Sequence, residues 1–469
     1  MAASQEFEIE SAILDADREF NLGGDLGTYT EMTQPIDIRA MIGEINIFED
    51  IQKGYVTATV GVLDDMGLLT EIVELQGTET LKLTIGCPDK SSNARAIEIL
   101  FKIVSIVNQA KQSDRVSVFV LNCISPYAYS DAASKISKSY TGQLEDISER
   151  ILNDHLDVEV ERKEKFWDED MKSIQGRVKI LTPYISPLES VEWLMERAMG
   201  QDGGPFFAWS TAWQWEEGTQ KKHFGALKTM LREGITNAKS NKEYQFRYSI
   251  STIPTTTKYS ENAHSIISFT NGGSIENTLS MMNQGTVGSW ISNLDTYTTQ
   301  KMNRHFNLDE YRNMLTKSVG AGTDLLTTVL DEEATVFVDG EETPTVEANG
   351  RSRSLVTSYG TYEWENSYHD VFDQTQLVNK IRKSAALSML YKNVLEVAIN
   401  GFSFMENEIT TGDVIKIIFD SQMSDDITGK KRIIDERTSG YYLIIGLRHS
   451  FQLATHRVYL SLAKVADNF

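Results

Sequence analysis

The chain has 469 residues, of which 41% are hydrophobic, so it can bury several cores and is expected to divide into about three domains. Its formal net charge is -22 and its pI is near 4.8, which argues against a protein that grips nucleic-acid phosphates. Cys87 and Cys123 are the only cysteines, no secretory leader opens the chain, and no apolar run reaches the roughly 18 to 20 residues of a membrane span. We therefore expect a protein made in a reducing cytoplasm, without membrane insertion.

The first quarter of the chain is rich in strand patterns. Apolar residues recur at every second position in two stretches, which is the period of a strand with one buried face. The two stretches contain Val56, Ala58, Val60 and Val62, then Ile97, Ile99, Phe101 and Ile103. This pattern predicts a first β domain.

A helix is predicted over residues 142–155. Leu144, Ile147 and Ile151 fall on one face at helical spacing, and Glu145 lies in the first turn, where the helix dipole favours an acid. The charge run over residues 159–172 that follows is typical of a solvated surface.

A second helix is predicted over residues 186–200. Ser186, Pro187 and Glu189 supply a capping hydroxyl, a proline at the first helical position and the carboxylate of a capping box, and Gly200 supplies a stop. Its expected buried stripe consists of Leu188, Val191, Leu194, Met195 and Ala198.

Residues 203–215 read GGPFFAWSTAWQW and concentrate aromatic side chains around a polar break. Large aromatic residues at this spacing are typical of two hairpin arms that fill a core. Exposed on the surface, Trp209, Trp213 or Trp215 would instead stack on sugar rings. The core interpretation is favoured.

Two further features precede the last strands. Residues 319–353 are acidic, with turn signals at Asp339-Gly340 and Asn349-Gly350, and predict a hairpin insertion or a mobile loop. A helix is predicted over residues 372–391, with a buried face formed by Leu377, Ile381, Ser384 and Leu387.

The C-terminal segment, residues 394–465, predicts an antiparallel β unit that repeats the first one. The acid, lysine and alternating apolar positions of residues 79–85 recur in residues 413–419, and Arg115-Val116 aligns with Arg457-Val458. We interpret the match as an internal duplication; the alternative is two unrelated meanders. The shorter second unit is expected to take its missing strands from residues 206–246, since a closed β domain leaves no open edge.

The sequence contains no recognisable catalytic motif. Its seven histidines form no H-E-x-x-H pattern and no zinc spacing with cysteine, and no G-x-S-x-G motif occurs. Acid pairs such as Glu216-Glu217 and Asp425-Asp426 are expected by chance among 67 acidic residues. No catalytic, cofactor-binding or metal-binding residue is predicted, and no cofactor.

Short motifs along the chain resemble, in their order, the baseplate hub proteins of contractile-tailed phages. The C-terminal strands resemble the last tube-type domain of that family, TPYISPLESVEWLMERAM resembles its central helix, and PFFAWST resembles the aromatic hairpin that follows. The residues that carry the resemblance are Gly412, Asp413, Gly440, Tyr442, Arg448, His449, Pro187, Trp193 and Phe207.

The resemblance implies an α+β fold with two similar antiparallel β-barrel-like tube domains and an intervening mixed α/β domain. The expected first tube-like domain is 1–125, and the mixed domain is 126–205 and 247–393, with the acidic insertion near 319–353. The expected second tube-like domain is 206–246 and 394–469.

The resemblance also implies a function without catalysis. Members of the family form a homotrimeric ring in the virion baseplate that joins the sixfold tail tube protein to the threefold central spike protein. The tape measure and baseplate wedge proteins are further candidate partners, and DNA is only passing cargo during genome ejection. We expect the excess acids to lie partly on the inner wall of such a ring, where they would repel DNA phosphates.

Three alternatives stay open. A tail-tip enzyme that cuts peptidoglycan should show a pocket with convergent carboxylates of perturbed pKa. A carbohydrate-binding tail module should expose its tryptophans. The hub of a phage-like injection or secretion system would share the fold and the symmetry.

Overall fold

The computed structural model describes most of the chain. The described ranges are 6–15, 20–22, 30–32, 35–65, 67, 69, 75–88, 94–111, 113, 116–161, 178–200, 203–213, 215–216, 219–248, 263–273, 278–295, 301–316, 335–338, 340–352, 354–359, 374–421, 434–435 and 438–467.

Strands dominate the described residues. In chain order they are β1 (Glu8–Asp15), β2 (Phe20–Leu22), β3 (Thr30–Met32), β4 (Ile36–Asp37), β5 (Ile42–Asp50), β6 (Thr57–Asp64), β7 (Thr80–Gly86), β8 (Ile97–Lys111), β9 (Ser117–Ile124), β10 (Ser139–Gly142), β11 (Glu159–Glu161), β12 (Val178–Leu181), β13 (Phe206–Trp209), β14 (Trp215–Glu216), β15 (Thr219–Ala226), β16 (Gln245–Tyr248), β17 (Ile266–Gly273), β18 (Gly288–Asp295), β19 (Lys301–Asn307), β20 (Thr335–Val338), β21 (Glu341–Pro344), β22 (Ser354–Tyr359), β23 (Val394–Asn400), β24 (Val414–Phe419), β25 (Gly440–Gln452) and β26 (Thr455–Asp467).

Helices lie mainly between the two ends of the chain, which gives the α+β class that the sequence predicts. They are α1 (Pro126–Ala133), α2 (Leu144–Leu156), α3 (Pro187–Met195), α4 (Leu227–Ser240), α5 (Thr278–Gln284), α6 (Leu308–Thr316), α7 (Thr345–Ser352), α8 (Gln374–Leu390) and α9 (Phe402–Asn407), with 3-10 turns at Arg39–Met41 and Lys242–Tyr244.

One sheet of thirteen described strands unites the two ends of the chain, in the path β17-β23-β26-β25-β5-β6-β9-β8-β7-β1-β4, with β24 on β25 and β16 on β24. The alternating apolar residues of the first strands are buried as predicted and enclose one core, and those of the last strands enclose a second. A third core lies among the helices of the middle segment.

The two ends of the sheet repeat the same strand order and register. The first set runs β5-β6-β9-β8-β7 and the second runs β17-β23-β26-β25-β24, with every neighbouring pair antiparallel. Ile103 pairs with Cys123 as Ile444 pairs with Leu462, and the register shifts directly after Ile103 and directly after Ile444. These two bulges therefore occupy equivalent places.

A second pair of bulges strengthens the equivalence. The register of β5 on β6 shifts after Ile42, and the register of β17 on β23 shifts after Ile266, its counterpart. Two unrelated sheets are not expected to have bulges at equivalent positions, so the pattern supports an internal duplication. The sets differ in their next strand, because β1 pairs antiparallel with β7 whereas β16 pairs parallel with β24.

The register corrects one of the sequence matches. The alignment of residues 79–85 with 413–419 agrees with the pairing, since Leu81 pairs with Phe101 as Ile415 pairs with Tyr442. The match of Arg115-Val116 with Arg457-Val458 is wrong by three residues. Phe119 is the counterpart of Val458: each pairs with the equivalent position of the next strand, and both are buried. A shift of three residues would turn the apolar side chains to the opposite face.

The segment 206–246 contributes less to the second set than expected. Its β16 joins β24, but β15 pairs with β13 on one side and with β11 on the other in a separate sheet. Strand β17, from outside that segment, supplies the set's edge instead.

The predicted helices are present, with corrections at two of them. Ser186 accepts from the backbone N–H of Glu189, whose side chain accepts from the Ser186 N–H, so the capping box at α3 is confirmed. That helix ends at Met195, before the predicted stop at Gly200, while its expected stripe is buried.

The helix predicted over 372–391 is α8, but its buried face is different. Val378, Ala385 and Met389 are buried, whereas Ile381, Ser384 and Leu387 are only partly buried, and the Leu377 side chain lies outside the described residues.

The acidic segment contains the predicted hairpin, because β20 and β21 pair antiparallel across Gly340. The second turn signal is wrong, since Asn349 and Gly350 lie within α7. Asn349 there donates to the carbonyl of Gly288 instead of making a turn. Residues 162–172 of the charge run, and 319–334 of the acidic segment, lie outside the described residues.

Candidate functional site

The joint between the two strand sets is the feature around which a functional surface can be located. The long strand β25 pairs with β24 through residues 440–443 and with β5 through residues 446–452, both on the side away from β26. Gly446 lies opposite Asp50 and Gln452 opposite Glu44. One continuous sheet thus crosses from the second set to the first.

A buried carboxylate reinforces this joint. Glu49 on β5 accepts hydrogen bonds from the hydroxyls of Thr410 and Thr411, at 2.6 and 3.0 Å, and from the backbone N–H of Ala212 at 2.8 Å. Burial raises the pKa of the Glu49 carboxyl, and the hydrogen bonds counteract part of that rise. Glu49 thus connects β5 of the first strand set to the turn before β24 and to the aromatic segment.

Among the described strands, none pairs along two strand edges that correspond to this joint. By the repeated register, residues 105–111 of β8, which include one extra bulge, correspond to residues 446–451 of β25, and β17 corresponds to β5. In the described part of the chain an isolated bridge joins Arg247 of β16 to Ser265, directly before β17, but no strand pairs along the outer edge of β17 itself or with residues 105–111 on the side of β7. Ile267 and Val104, at these edges, are 42% and 44% exposed. Unpaired edges of this kind are templates for pairing with another chain.

The sheet face opposite the two cores, called the polar sheet face below, carries hydroxyl and amide side chains and charges of both signs. Apolar residues such as Leu63, Val107 and Val120 lie on the same face of the first strand set. On the strands β5, β6, β8, β9, β17, β23, β25 and β26 the charged residues that alternate with buried positions are Glu44, Asp50, Glu98 and Glu396, with Lys102, Arg448 and Arg457.

Gly412 and Asp413 form a tight turn before β24. Gly412 has a φ of +93°, and a Cβ there would lie 2.7 Å from the Trp209 ring. The Asp413 carboxylate accepts from the backbone N–H of Thr410, and its carbonyl accepts from Ile444. The turn therefore needs glycine for its backbone and for the approach of the tryptophan.

Gly440 and Tyr442 lie at the start of β25. A Cβ on Gly440 would lie 2.4 Å from the carbonyl oxygen of Ala466 on β26, so no side chain fits. Tyr442 fills the second core and donates its hydroxyl hydrogen to the carbonyl of Thr438.

Arg448 and His449 point to opposite faces of β25, as the strand period predicts. Arg448 is partly exposed on the polar face, with its guanidinium over the Tyr459 ring. His449 is buried and its Nδ1 lies 3.1 Å from Nε2 of His456. Burial lowers the pKa of His449 to about 3, and the pKa of His456 lies well below its usual value for the same reason.

The remaining signature residues, as we call the nine residues that carry the family resemblance, lie in the middle segment. Pro187 opens α3, Trp193 on that helix stacks under Arg197, and Phe207 on β13 is buried with the Lys383 ammonium over its ring. The structure thus brings Gly412 and Asp413 close to Trp209 of the aromatic segment, but it does not gather the nine signature residues into one pocket.

The sequence patterns did not single out three buried charged residues, Glu49, Lys222 and Lys383. Burial lowers the pKa of Lys222 to about 8 and that of Lys383 to about 8. Lys383 donates to the carbonyl of Met195, the last residue of α3, and to that of Phe206, so it holds a helix end against β13. The sequence feature that could have indicated these residues is an acid or a lysine within an otherwise apolar pattern.

Other candidate sites receive no support. In the described residues no group of three His, Cys, Asp or Glu side chains could hold a metal ion. Trp209 and Trp213 are 1% and 9% exposed, so they fill a core, while the Trp215 side chain is outside the described part. Glu217, Asp425 and Asp426, and the Glu216 side chain, also lie outside it.

Of the helices that the structure describes, none is long and apolar enough to cross a bilayer.

Comparisons with known proteins give structural neighbours only. No protein-family model matches the sequence, and no curated protein matches it. The fold is similar to that of a tail protein from Neisseria meningitidis MC58, at 9% identity over 98% of this chain and 97% of that chain, with a TM-score of 0.49. It is also similar to the 43 kDa tail protein of prophage MuSo2 from Shewanella oneidensis, at 10% identity over 97% and 98% of the two chains, with a TM-score of 0.48.

A third neighbour belongs to a larger protein. A chain of the lidded Francisella PdpA-VgrG complex is similar at 11% identity, with a TM-score of 0.45, over 99% of this chain and 53% of that chain. The solved structures that this chain resembles thus include two tail proteins, one of them from a prophage.

Proposed function

We propose that the chain is a structural hub of a contractile tail and that three copies close into a ring of six similar β units. The observation that carries the proposal is the repeated register: two strand sets in one chain are joined edge to edge, and each free edge is the counterpart of one side of that joint. Repeating the joint between chains uses up both free edges, and cyclic closure leaves none.

The repeated register specifies the contact between subunits. Within the chain, Arg448 pairs with Phe48, and Ser450 pairs with Asn46. At the equivalent positions between subunits, Val107 would pair with Gly273, and Ala110 with Thr270, of the next subunit. Main-chain hydrogen bonds would carry this contact, so two diverged units could occupy equivalent places.

Such a ring has the symmetry of an adapter. Six similar units present a near-sixfold face to a tail tube protein, while three chains present a threefold face to a central spike. The tape measure and baseplate wedge proteins would be further partners, in the virion baseplate. In this arrangement the two strand sets are the two tube-like domains, and 126–205 with 247–393 forms most of the mixed domain.

The bore of the ring would be lined by the polar sheet face. Its carboxylates are nearly matched by lysine and arginine, so we replace the expectation of an acidic inner wall by that of a nearly neutral, hydroxyl-rich one. A neutral polar wall also lets DNA pass without strong electrostatic binding.

Cysteine cross-linking tests the proposed contact. In a Cys87→Ser background, Ala110→Cys with Thr270→Cys should form intermolecular disulfides on mild oxidation, because paired residues bring their Cβ atoms to about 4.5–5.5 Å. The control, Ala110→Cys with Ser268→Cys, displaces one thiol by two residues, about 6.7 Å along the strand, and should cross-link poorly. Equal cross-linking of both pairs, or none in an assembled oligomer, would contradict the contact.

The hub of a phage-like injection or secretion system fits the same geometry. A peptidoglycan-cleaving enzyme or a carbohydrate-binding module is less well supported, because no described observation favours either one.

A further inference from the structure

A groove of about 590 Å³ crosses the polar sheet face at the joint between the two strand sets. It lies over β5, β25, β26, β23 and β17, and its volume is within the range of about 300–1,000 Å³ that is typical of ligand clefts. Small residues line much of it, among them Ser268, Thr270, Ala398, Gly446 and Ser461. Strand residues with larger side chains would have closed this space.

One arginine in the groove has unused hydrogen-bonding capacity. The Arg448 guanidinium lies 4.1 Å from the centre of the Tyr459 ring, and its Nε is buried without a hydrogen-bond partner. Among the described residues no carboxylate lies within ion-pair distance of Arg448. Stacking fixes the plane of the guanidinium. Because Nε is buried, its two terminal Nη groups are the ones arranged to receive a carboxylate through two parallel hydrogen bonds.

The duplication indicates that this pair is not needed for the fold. Arg448 pairs with Tyr459, and at the equivalent positions of the first strand set Val107 pairs with Val120. The same strand geometry is thus built with two apolar residues. The charged and aromatic pair is a specialisation of the second set.

The surroundings of Arg448 select the kind of anion. Asp50 and Glu396 also line the groove, and Lys53 adds a second cation at its border. A nucleic-acid strand carries a phosphate about every 3.4 Å and would bring several of them against these two acids. A polypeptide carries isolated carboxylates among neutral groups, which suits one arginine between two acids.

We propose that the groove binds a polypeptide segment through a single carboxylate, which Arg448 receives while the small hydroxyl residues contact the backbone. The site needs only one chain, so it does not depend on ring formation. In a ring, three copies would open on the bore, where a polypeptide held inside the tube would meet them.

Fluorescence anisotropy of labelled pentapeptides tests the proposal with the purified full chain. The probes are Gly-Ser-Asp-Ser-Gly amide, Gly-Ser-Asn-Ser-Gly amide and Gly-Ser-Asn-Ser-Gly with a free terminal carboxylate. At least one carboxylate-bearing peptide should bind about tenfold more tightly than the neutral amide, as expected for a charged hydrogen-bonded pair. Which of the two carboxylate-bearing peptides binds more tightly than the neutral amide shows whether the site receives a side-chain carboxylate or a terminal one.

Variants locate the site. The double variant Arg448→Val with Tyr459→Val introduces the valines that stand at the equivalent positions of the first set. It should therefore fold and lose the tenfold preference for a carboxylate. Arg448→Lys keeps the charge without the planar fork, and the tenfold preference should become smaller. Arg457→Gln, on the same face, should leave the preference unchanged. Binding that shows no carboxylate preference, a preference that survives Arg448→Lys undiminished, or tighter binding of a 15-nucleotide oligothymidylate would overturn the proposal.

Discussion

Ile103 and Ile444 occupy the same place in two copies of one strand arrangement. Ile103 pairs with Cys123 and Ile444 with Leu462, and a bulge follows each of them in the direction of the chain. This relationship aligns the paired residues of the two sets, and the proposed subunit contact and the comparison of Arg448 with Val107 both depend on that alignment.

The first prediction concerns Glu49. Replacing it with alanine leaves the donors of Thr410, Thr411 and Ala212 without an acceptor at a buried site, and we expect a loss of about 2–4 kcal/mol in the free energy of unfolding. Urea unfolding measures the loss. Glu44→Ala removes a half-exposed carboxylate from the same strand and should change the free energy by less than about 0.5 kcal/mol.

The pKa of Glu49 also gives a dependence on pH. Because burial raises the folded-state pKa, the folded chain binds the proton more tightly than the unfolded chain does. The associated stability is therefore present below the unfolded value of 4.5 and is lost as the pH rises toward the folded value. The stability of the wild-type chain relative to Glu49→Gln should fall over that interval; a difference that rises with pH would contradict the assignment.

The second prediction concerns His449 and His456. Both pKa values are lowered by burial, that of His449 to about 3, so the unfolded chain takes up protons first on acidification. Stability should fall as the pH decreases through 6.5, by up to about 1.4 kcal/mol per pH unit for each histidine. Thermal unfolding between pH 7.5 and 5 checks the slope.

Variants assign that slope to the buried pair. His449→Gln should reduce the pH dependence by about half, since one of the two groups no longer titrates. His305→Gln replaces an exposed histidine and should leave it unchanged. An identical slope in all three proteins would show that other groups are responsible.

The third prediction compares two glycines. Gly412→Ala introduces a side chain where φ is +93° and where Cβ would lie 2.7 Å from Trp209, and we expect a loss of about 2–4 kcal/mol. Gly43→Ala meets nothing within 4 Å and should cost less than about 1 kcal/mol. Equal effects in chemical denaturation would show that the turn before β24 is not constrained.

Local patterns in the sequence predict many of the elements but not their pairing. The alternation around Val60 and Phe101, and the capping box at Ser186, depend on near neighbours and appear in the structure as predicted. The roles of β16 and β17 could not be predicted, because pairing with β24 and β23 depends on packing across more than a hundred residues.

The candidate sites show the same division. The opposite orientations of Arg448 and His449 follow from the period of a strand, so the sequence predicts them. The burial of Glu49 and the groove beside Arg448 depend on strands that are distant in the chain. The buried face of α8 was misassigned because Ser384 fits the helical period, while the core selects Val378, Ala385 and Met389.

The mass of the purified assembly tests the central claim most directly. Native mass spectrometry and light scattering, on the protein alone and with the proposed tube and spike partners, should give three copies of the 52.8 kDa chain. Edge variants that block the contact of Ala110 with Thr270 should reduce that mass to a folded monomer. A wild-type chain that stays monomeric with both partners bound, or that forms a six-copy ring, would contradict the account.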